Sequence, residues 1–217
     1  FRWQPWYREM KNLLDANELG DPFTFYFQMR QGDGWGDDAY LARQPFFREY
    51  KRLLIYETGV HFIDTFRYLF GEITAVYANL RQLNPVIKGE DSGQVIFHHA
   101  NGVVSIFDAN RYNEAEAENT RYTFGTARLD GRKGHLEMDF DGDLRFKKLG
   151  KSAKKHPYTH TRNGFAGDCV FALQRHFVEQ LKAGKPFENN GPDYLKTMKV
   201  VDAVYQSNLT KSLIMID

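Results

Sequence analysis

Between residues 73 and 148 the chain breaks into short apolar runs separated by turn signals only two residues long. Asn101-Gly102 and Asp141-Gly142 suit type I′ hairpins, and Asp130-Gly131 is a similar but weaker signal. Turns that short leave no room for a crossover, so neighbouring strands must run antiparallel. Strands are expected at 73–81, 93–99, 103–109, 119–128, 135–140 and 144–148. One more is expected at 23–29, after Asp21-Pro22, and a last at 212–216.

Helices frame these runs. Residues 3–18 carry Met10, Leu13 and Leu14 at helical spacing, with Gly20 as a stop. Residues 54–70 form a second helix ended by Gly71. A third spans 168–182, with Gly184 and Pro186 beyond it. The fourth opens at Gly191-Pro192 and carries Tyr194, Met198, Val201 and Tyr205 on one face. The pattern predicts one α+β domain over 1–217, a large, mostly antiparallel sheet of about six to eight strands with helices packed on one face. Apolar residues occur at both parities of the strands (Val95, Ile96, Phe97; Val103, Val104; Ile106, Phe107). That predicts a second buried face, and hence a homo-oligomer joined through the open face of the sheet.

Composition narrows the partners. Lys plus Arg number 29 against 28 Asp plus Glu, so no global field draws the chain to nucleic acid or an acidic membrane. No apolar run approaches the ~20 residues of a membrane helix, and no signal peptide is recognisable. The single cysteine, Cys169, excludes an intrachain disulfide, fits a cytoplasmic location and reads as a buried, inert thiol. The chain starts at Phe1, without methionine and already inside the amphipathic run from Trp3 to Leu14. It reads as a fragment of a longer protein.

The helix at 54–70 is the most informative for chemistry. At about 100° per residue Glu57, His61, Asp64 and Tyr68 share one narrow stripe, nearly opposite Gly59, Ile63, Phe66 and Phe70. An imidazole between two carboxylates can be held in one tautomer, with a pKa near or above ~6.5, as a general acid/base requires. The same stripe also fits the solvated face of an amphipathic helix. The long loop at 31–52 has glycines at 32, 34 and 36, but no Gly-x-Gly-x-x-Gly follows a strand, so this chain holds no phosphate cradle. His98 and His99 alternate across a strand, so at most one can point into a site. His156 and His160 lie in a basic loop at 150–166 and with Glu57 and His61 would offer donors to a metal. Nothing in the spacing requires one, and no metal is expected.

Glu57-Thr-Gly-Val-His61-Phe-Ile-Asp64, followed by Arg67-Tyr-Leu69 and Gly71-Glu72, resembles the motif helix of the glucose-fructose oxidoreductase/inositol dehydrogenase/MocA family. An Arg-x-x-Pro at Arg2 to Pro5, Glu18-Leu-Gly20, a Gly-x-Pro at Gly184 to Pro186 and Ala203-x-Tyr-x-Ser207 agree in order. The resemblance implies an amino-terminal Rossmann domain that binds NAD or NADP, absent from this chain along with its Glu-Lys-Pro motif. It also implies a carboxy-terminal α+β domain that binds a carbohydrate-like substrate and oligomerises. His61 matches the family's acid/base histidine, and Glu57 stands where aspartate is usual. By position Thr58, Asp64, Arg2 and the Asn110-Arg111-Tyr112 patch would face substrate, with Trp35 as a lid. The implied reaction is hydride transfer between nicotinamide and a sugar, polyol or derivative, and the chain alone is expected to be inactive. Two other readings stay open: a non-enzymatic ligand-binding or assembly module, and a metal-dependent hydrolase or isomerase using Glu57, His61 and His160.

Overall fold

The fold was obtained as a computed structural model, in which residues 1–162 and 164–216 are described. Asn163, within the expected basic loop, and Asp217 lie outside the described residues. The elements are α1 (Pro5–Asp15), β1 (Pro22–Arg30), a 3-10 turn (Pro45–Glu49), a π-helical turn (Leu54–Gly59), α2 (Val60–Phe70), β2 (Ile73–Arg81), β3 (Ser92–His99), β4 (Val104–Asn110), β5 (Gly125–Gly131), β6 (Gly134–Met138), β7 (Leu144–Lys148), β8 (Lys154–Lys155), α3 (Cys169–Ala183), α4 (Gly191–Thr210) and β9 (Ile214–Met215).

The nine strands form one sheet in the order β8-β7-β6-β5-β1-β4-β3-β2-β9. All pairings are antiparallel except β1 with β4, which run parallel in the register Phe25↔Ser105 and Phe27↔Phe107. Short turns could not reveal that pair, because β1 and β4 are separated by α2 and two strands. On one face β1 buries Phe25, Phe27 and Met29, and β4 buries Phe107. α2 lies over this face, with Phe62 stacked on Phe27 (centroids 4.4 Å) and Phe66 edge-on to Phe25 (5.3 Å). Each aromatic contact adds about 0.5–1.5 kcal/mol beyond burial. α1 and α4 flank α2.

The opposite face is mixed. Tyr26, Gln94 and Arg30 all bond Asp108, whereas Ile96 sits opposite Ile106, both half-buried. The expectation of apolar residues on both faces therefore holds on β3 and β4 only; on β1 the second face is polar because Asp108 gathers donors there.

Other boundaries shift for identifiable reasons. α1 begins at Pro5, as a first-turn proline favours, and ends at Asp15, where Asn17 (φ 55°) has left the helix. The strand expected at 119–128 starts only at Gly125. Phe124 has φ 67°, and the Thr123 hydroxyl donates to the Gly125 and Phe140 carbonyls. The β5–β6 turn is Arg132-Lys133, between Gly131 and Gly134, two residues beyond the Asp130-Gly131 signal. α4 buries Thr197, Val200, Val201 and Val204, a face rotated from the expected one, and Tyr194 is exposed. α3 buries only Cys169 and presents Phe171, Phe177 and Leu181 to solvent, so it does not share the packing of the other helices. None of the described helices is long and apolar enough to cross a membrane.

Candidate functional site

The helix carrying the histidine motif does not start as an α-helix. Its first turn, Leu54–Gly59, is π-helical, a geometry often found at functional sites. Glu90 anchors it: Oε1 accepts from the Ile55 amide (3.1 Å) and the Tyr205 hydroxyl (2.5 Å), while the Glu90 carbonyl accepts from the Leu54 amide (3.0 Å). Tyr205 in turn accepts from the Tyr56 amide (3.2 Å). Gly59 allows the close turn, since a Cβ there would lie 3.2 Å from Ile55 Cδ1. At the far end Gly71 (φ 82°) stops α2, and Glu72 folds back to accept two bonds from Arg67.

The wider first turn presents Glu57 and Thr58, and the start of α2 presents His61, to one cleft of about 140 Å³. Gln31, Arg111 and Arg121 line its polar side, with Arg43 and Gln44 from the long loop. Phe1, Phe124 and Phe165 line its apolar side. A cleft mixing aromatic faces with a few convergent polar groups suits a small ligand. A larger groove of about 550 Å³ at the sheet edge is lined chiefly by lysines, and its histidine, His156, is bonded to Glu9 (2.6 Å).

Arg111 is the hub of the cleft. Buried, it donates through Nη1 to Glu57 Oε2 (2.9 Å) and Thr58 Oγ1 (3.1 Å), and through Nε and Nη2 to Asp33 (3.2 and 2.9 Å). Thr58 also donates to Glu57. The Arg111 guanidinium lies over the rings of Tyr40 and Phe47, which give the loop its own small core with Leu53 and Ile87. Burial opposes the charge on both Arg111 and Asp33, but their mutual hydrogen bonds and attraction outweigh it. Arg111 is held above its ordinary pKa and Asp33 below. Arg121 reaches Asp33 from the other side (3.3 Å).

His61 is exposed at the cleft and packs on the Phe1 ring (centroids 4.6 Å). Its pKa falls to about 4, first because the ring is crowded out of water and then because the Phe1 amino group is positive; Glu57 and Asp64 pull weakly the other way. The expected pKa near or above 6.5 is therefore corrected. The two carboxylates do not bracket the imidazole, because each has an arginine. Glu57 is taken by Arg111, and Asp64 accepts from Arg2 at 2.9 and 2.5 Å. At neutral pH His61 is an uncharged base.

Of the residues expected at the site, His61, Glu57, Thr58 and Arg111 meet in the cleft. Arg2 and Asp64 are a buried ion pair tying the chain before α1 to α2, and neither lines the cleft. Trp35 and Tyr112 are exposed outside its lining. Tyr68 is partnered by Arg8 (2.9 Å). His160 bonds the Tyr122 hydroxyl (2.7 Å) and faces Asp143, so it does not join Glu57 and His61. Among the described residues no three His, Cys, Asp or Glu side chains are placed to share an ion. His99 is buried and His98 exposed, as alternation requires, and Cys169 is buried. Asp33, Gln31, Arg43 and Arg121 were missed. Only the length of the 31–52 loop pointed towards the first three, since the partners of Asp33 and Gln31 lie far along the chain and Arg43 has none to mark it.

A mostly antiparallel sheet carrying a helix with the Glu-x-Gly-x-His-x-x-Asp motif over a small polar cleft defines a class of α+β domain. Residues 7–137 match the GFO/IDH/MocA C-terminal domain, and the chain belongs to that family. It is 29% identical over 222 residues to D-apiose dehydrogenase of Rhizobium rhizogenes, covering 95% of this chain and 60% of that protein. With D-apiose dehydrogenase of Paraburkholderia graminis it shares 28% over 214 residues, covering 95% and 55%. An Agrobacterium radiobacter oxidoreductase crystallised with NAD+, L-tartaric acid and magnesium superposes with TM-score 0.86 at 25% identity, over 99% of this chain and 63% of that one. Levoglucosan dehydrogenase in complex with NADH and levoglucosan has the same fold, with TM-score 0.82 at 19% identity over 100% of this chain and 64% of that one. The chain thus spans less than two thirds of the length of these relatives.

Proposed function

We propose that this chain is the substrate-binding half of an NAD(P)-dependent oxidoreductase acting on a sugar, polyol or derivative. The observation that carries the reading is His61, an uncharged imidazole beside the Arg111–Glu57 pair in a cleft the size of one sugar ring. Its likeness to two D-apiose dehydrogenases supports the substrate class.

The cleft is too small for a dinucleotide. Gly32, Gly34 and Gly36 enter no helix; a Cβ at Gly32 or Gly34 would strike Glu114 or Tyr40 and Arg111. Binding of the cofactor therefore falls to a preceding dinucleotide domain, and no residue of this chain is assigned to it. When bound, the nicotinamide supplies the hydride acceptor or donor. In the oxidation direction His61 takes the proton of the substrate hydroxyl, and in reduction it returns it. Glu57, fixed by Arg111 and Thr58, accepts from a neighbouring hydroxyl. The rings of Phe1, Phe124 and Phe165 offer apolar surface to the C–H face of the sugar.

The exposed apolar side of α3, with Phe171, Phe177 and Leu181, supports a second domain packed there. The half-buried Ile96–Ile106 pair supports a homo-oligomer through the sheet face, which light scattering tests. A cytoplasmic location rests on the lone free cysteine alone.

The deciding observation is the reading frame upstream of Phe1. About 120 residues containing strand, Gly-x-Gly-x-x-Gly and helix are expected. A frame without them overturns the two-domain reading, as does micromolar NADH binding by this chain in a fluorescence titration.

A further inference from the structure

The cleft holds more guanidinium than its acids use. Arg111 is matched by Asp33 and Glu57. Arg121 shares Asp33, an acid that already accepts two bonds from Arg111, and holds it only at 3.3 Å. Among the described residues Arg43 has no side-chain hydrogen bond or ion pair at all, although it lines the same cleft from the exposed stretch 41–43. Three arginines thus face two carboxylates. His61, with its pKa lowered to about 4, adds no further positive charge at pH 7.

Resting on the proposed function, we propose that the cleft selects a sugar acid, an aldonate or uronate, whose carboxylate is held by Arg43 and Arg121. Each guanidinium presents five donors in a planar fork that matches a carboxylate edge. Arg43 uses none of its donors and Arg121 one, so an anionic group entering there meets free, correctly shaped donors without displacing an existing pair. Gln44 supplies a neutral donor and acceptor for hydroxyls, Gln31 offers only its oxygen because its amide nitrogen already donates to the Thr120 and Phe124 carbonyls, and the three phenylalanines cover the ring's apolar edge. A cleft of about 140 Å³ takes one ring and one small anionic group. Counted over the arginines and carboxylates alone, the excess is a single unit, which a carboxylate neutralises and a phosphate dianion oversupplies.

The test uses this chain, labelled for NMR, with D-glucuronate, D-glucose and D-glucose 6-phosphate as probes at pH 7. Arginine Nε–H and His61 ring signals report where each probe sits. Glucuronate is expected to bind about tenfold tighter than glucose, as one charge-assisted fork provides. Arg43→Gln is expected to erase most of that ratio; the residue is exposed, so the variant folds. Equal binding of glucose and glucuronate overturns the sugar-acid proposal and leaves the oxidoreductase reading standing. Tighter binding of glucose 6-phosphate than glucuronate also overturns it. Failure of every probe to move the His61 signals overturns both this proposal and the assignment of the cleft as a sugar site.

Discussion

Arg111 and Glu57 meet at 2.9 Å, and that contact joins the end of a sheet strand to the first turn of the motif helix. The arginine is buried and the glutamate half-buried, so the pair is anchored from the sheet side and open from the cleft side. Asp33 completes the anchor. The three groups make a charged cluster whose removal in part is worse than its removal whole, because a buried charge left unmatched is costly.

Asp33→Asn is therefore expected to destabilise the chain by about 3 kcal/mol, since Arg111 is left with only Glu57. The exposed pair Arg52–Asp202 is the contrast, and Asp202→Asn should cost less than about 1 kcal/mol. Urea denaturation of both variants checks the difference. Equal small losses would mean that the Arg111 cluster is solvated.

Two histidines make the fold acid-sensitive. His99 is buried, with Nδ1 at 3.0 Å from the Gly71 carbonyl and Nε2 at 2.8 Å from Ser105 Oγ. The first contact requires a proton on Nδ1, and in the neutral ring Nε2 then accepts from the serine hydroxyl. Burial lowers its pKa to about 4, against ~6.5 in the unfolded chain. The folded state thus refuses a proton that the unfolded state accepts. Stability is complete above pH 6.5 and falls as pH drops towards 4, with about 2 kcal/mol lost to His99 by pH 5. His61 shifts the same way but adds less, being exposed. Denaturant midpoints at pH 7 and 5 measure the loss, and His99→Gln should shrink it. An unchanged midpoint difference in that variant would place the acid sensitivity elsewhere.

The π-helical turn depends on Glu90. Glu90→Ala would strip the Ile55 amide and the Tyr205 hydroxyl of their common acceptor, at about 1–3 kcal/mol for each group left unpaired. Hydrogen exchange at Ile55 should speed up well beyond the change at Phe66, in the middle of α2. Glu90→Gln retains an acceptor oxygen and should restore most of the protection. Uniform acceleration along the helix would show instead that Glu90 stabilises the domain generally.

What was legible in the sequence follows the range of each interaction. The Asn101-Gly102 signal does mark the hairpin between β3 and β4, but the turn is not type I′: only Gly102 is left-handed (φ 88°), and its amide donates to the His99 carbonyl (2.9 Å), so the turn centres on Ala100-Asn101 with the glycine following it. The histidine motif also reads locally, since Gly59 and Gly71 act on their own helix. The parallel β1–β4 pair and the ion pairs of Arg111 join residues about 50 to 80 positions apart, which no local pattern encodes. The polar stripe misled for the same reason: helical spacing placed Glu57 and Asp64 near His61, but not the distant Arg111 and Arg2 that claim them.

The sharpest prediction concerns His61 in the two-domain protein proposed above. His61→Ala should lower kcat by roughly 10²- to 10⁴-fold while cofactor affinity stays the same. The side chain is exposed and among the described residues its ring contact is with Phe1 alone, so stability should change by less than about 1 kcal/mol. Its pH signature follows from the lowered pKa. A base with pKa about 4 stays unprotonated through the neutral range, so the oxidation rate should hold steady from pH 8 to 6 and decline only as pH approaches 4. In a chain extended before Phe1 the positive amino group becomes an amide, which removes one of the two depressing effects. Crowding of the ring remains, so the decline should still centre below 6.5. Rate profiles of the native enzyme and of Glu57→Gln locate it. Removing the glutamate charge should move the decline lower still, because Glu57 favours the protonated ring. A profile centred at or above 6.5, or a His61→Ala enzyme within about threefold of the native rate, would remove His61 from the reaction.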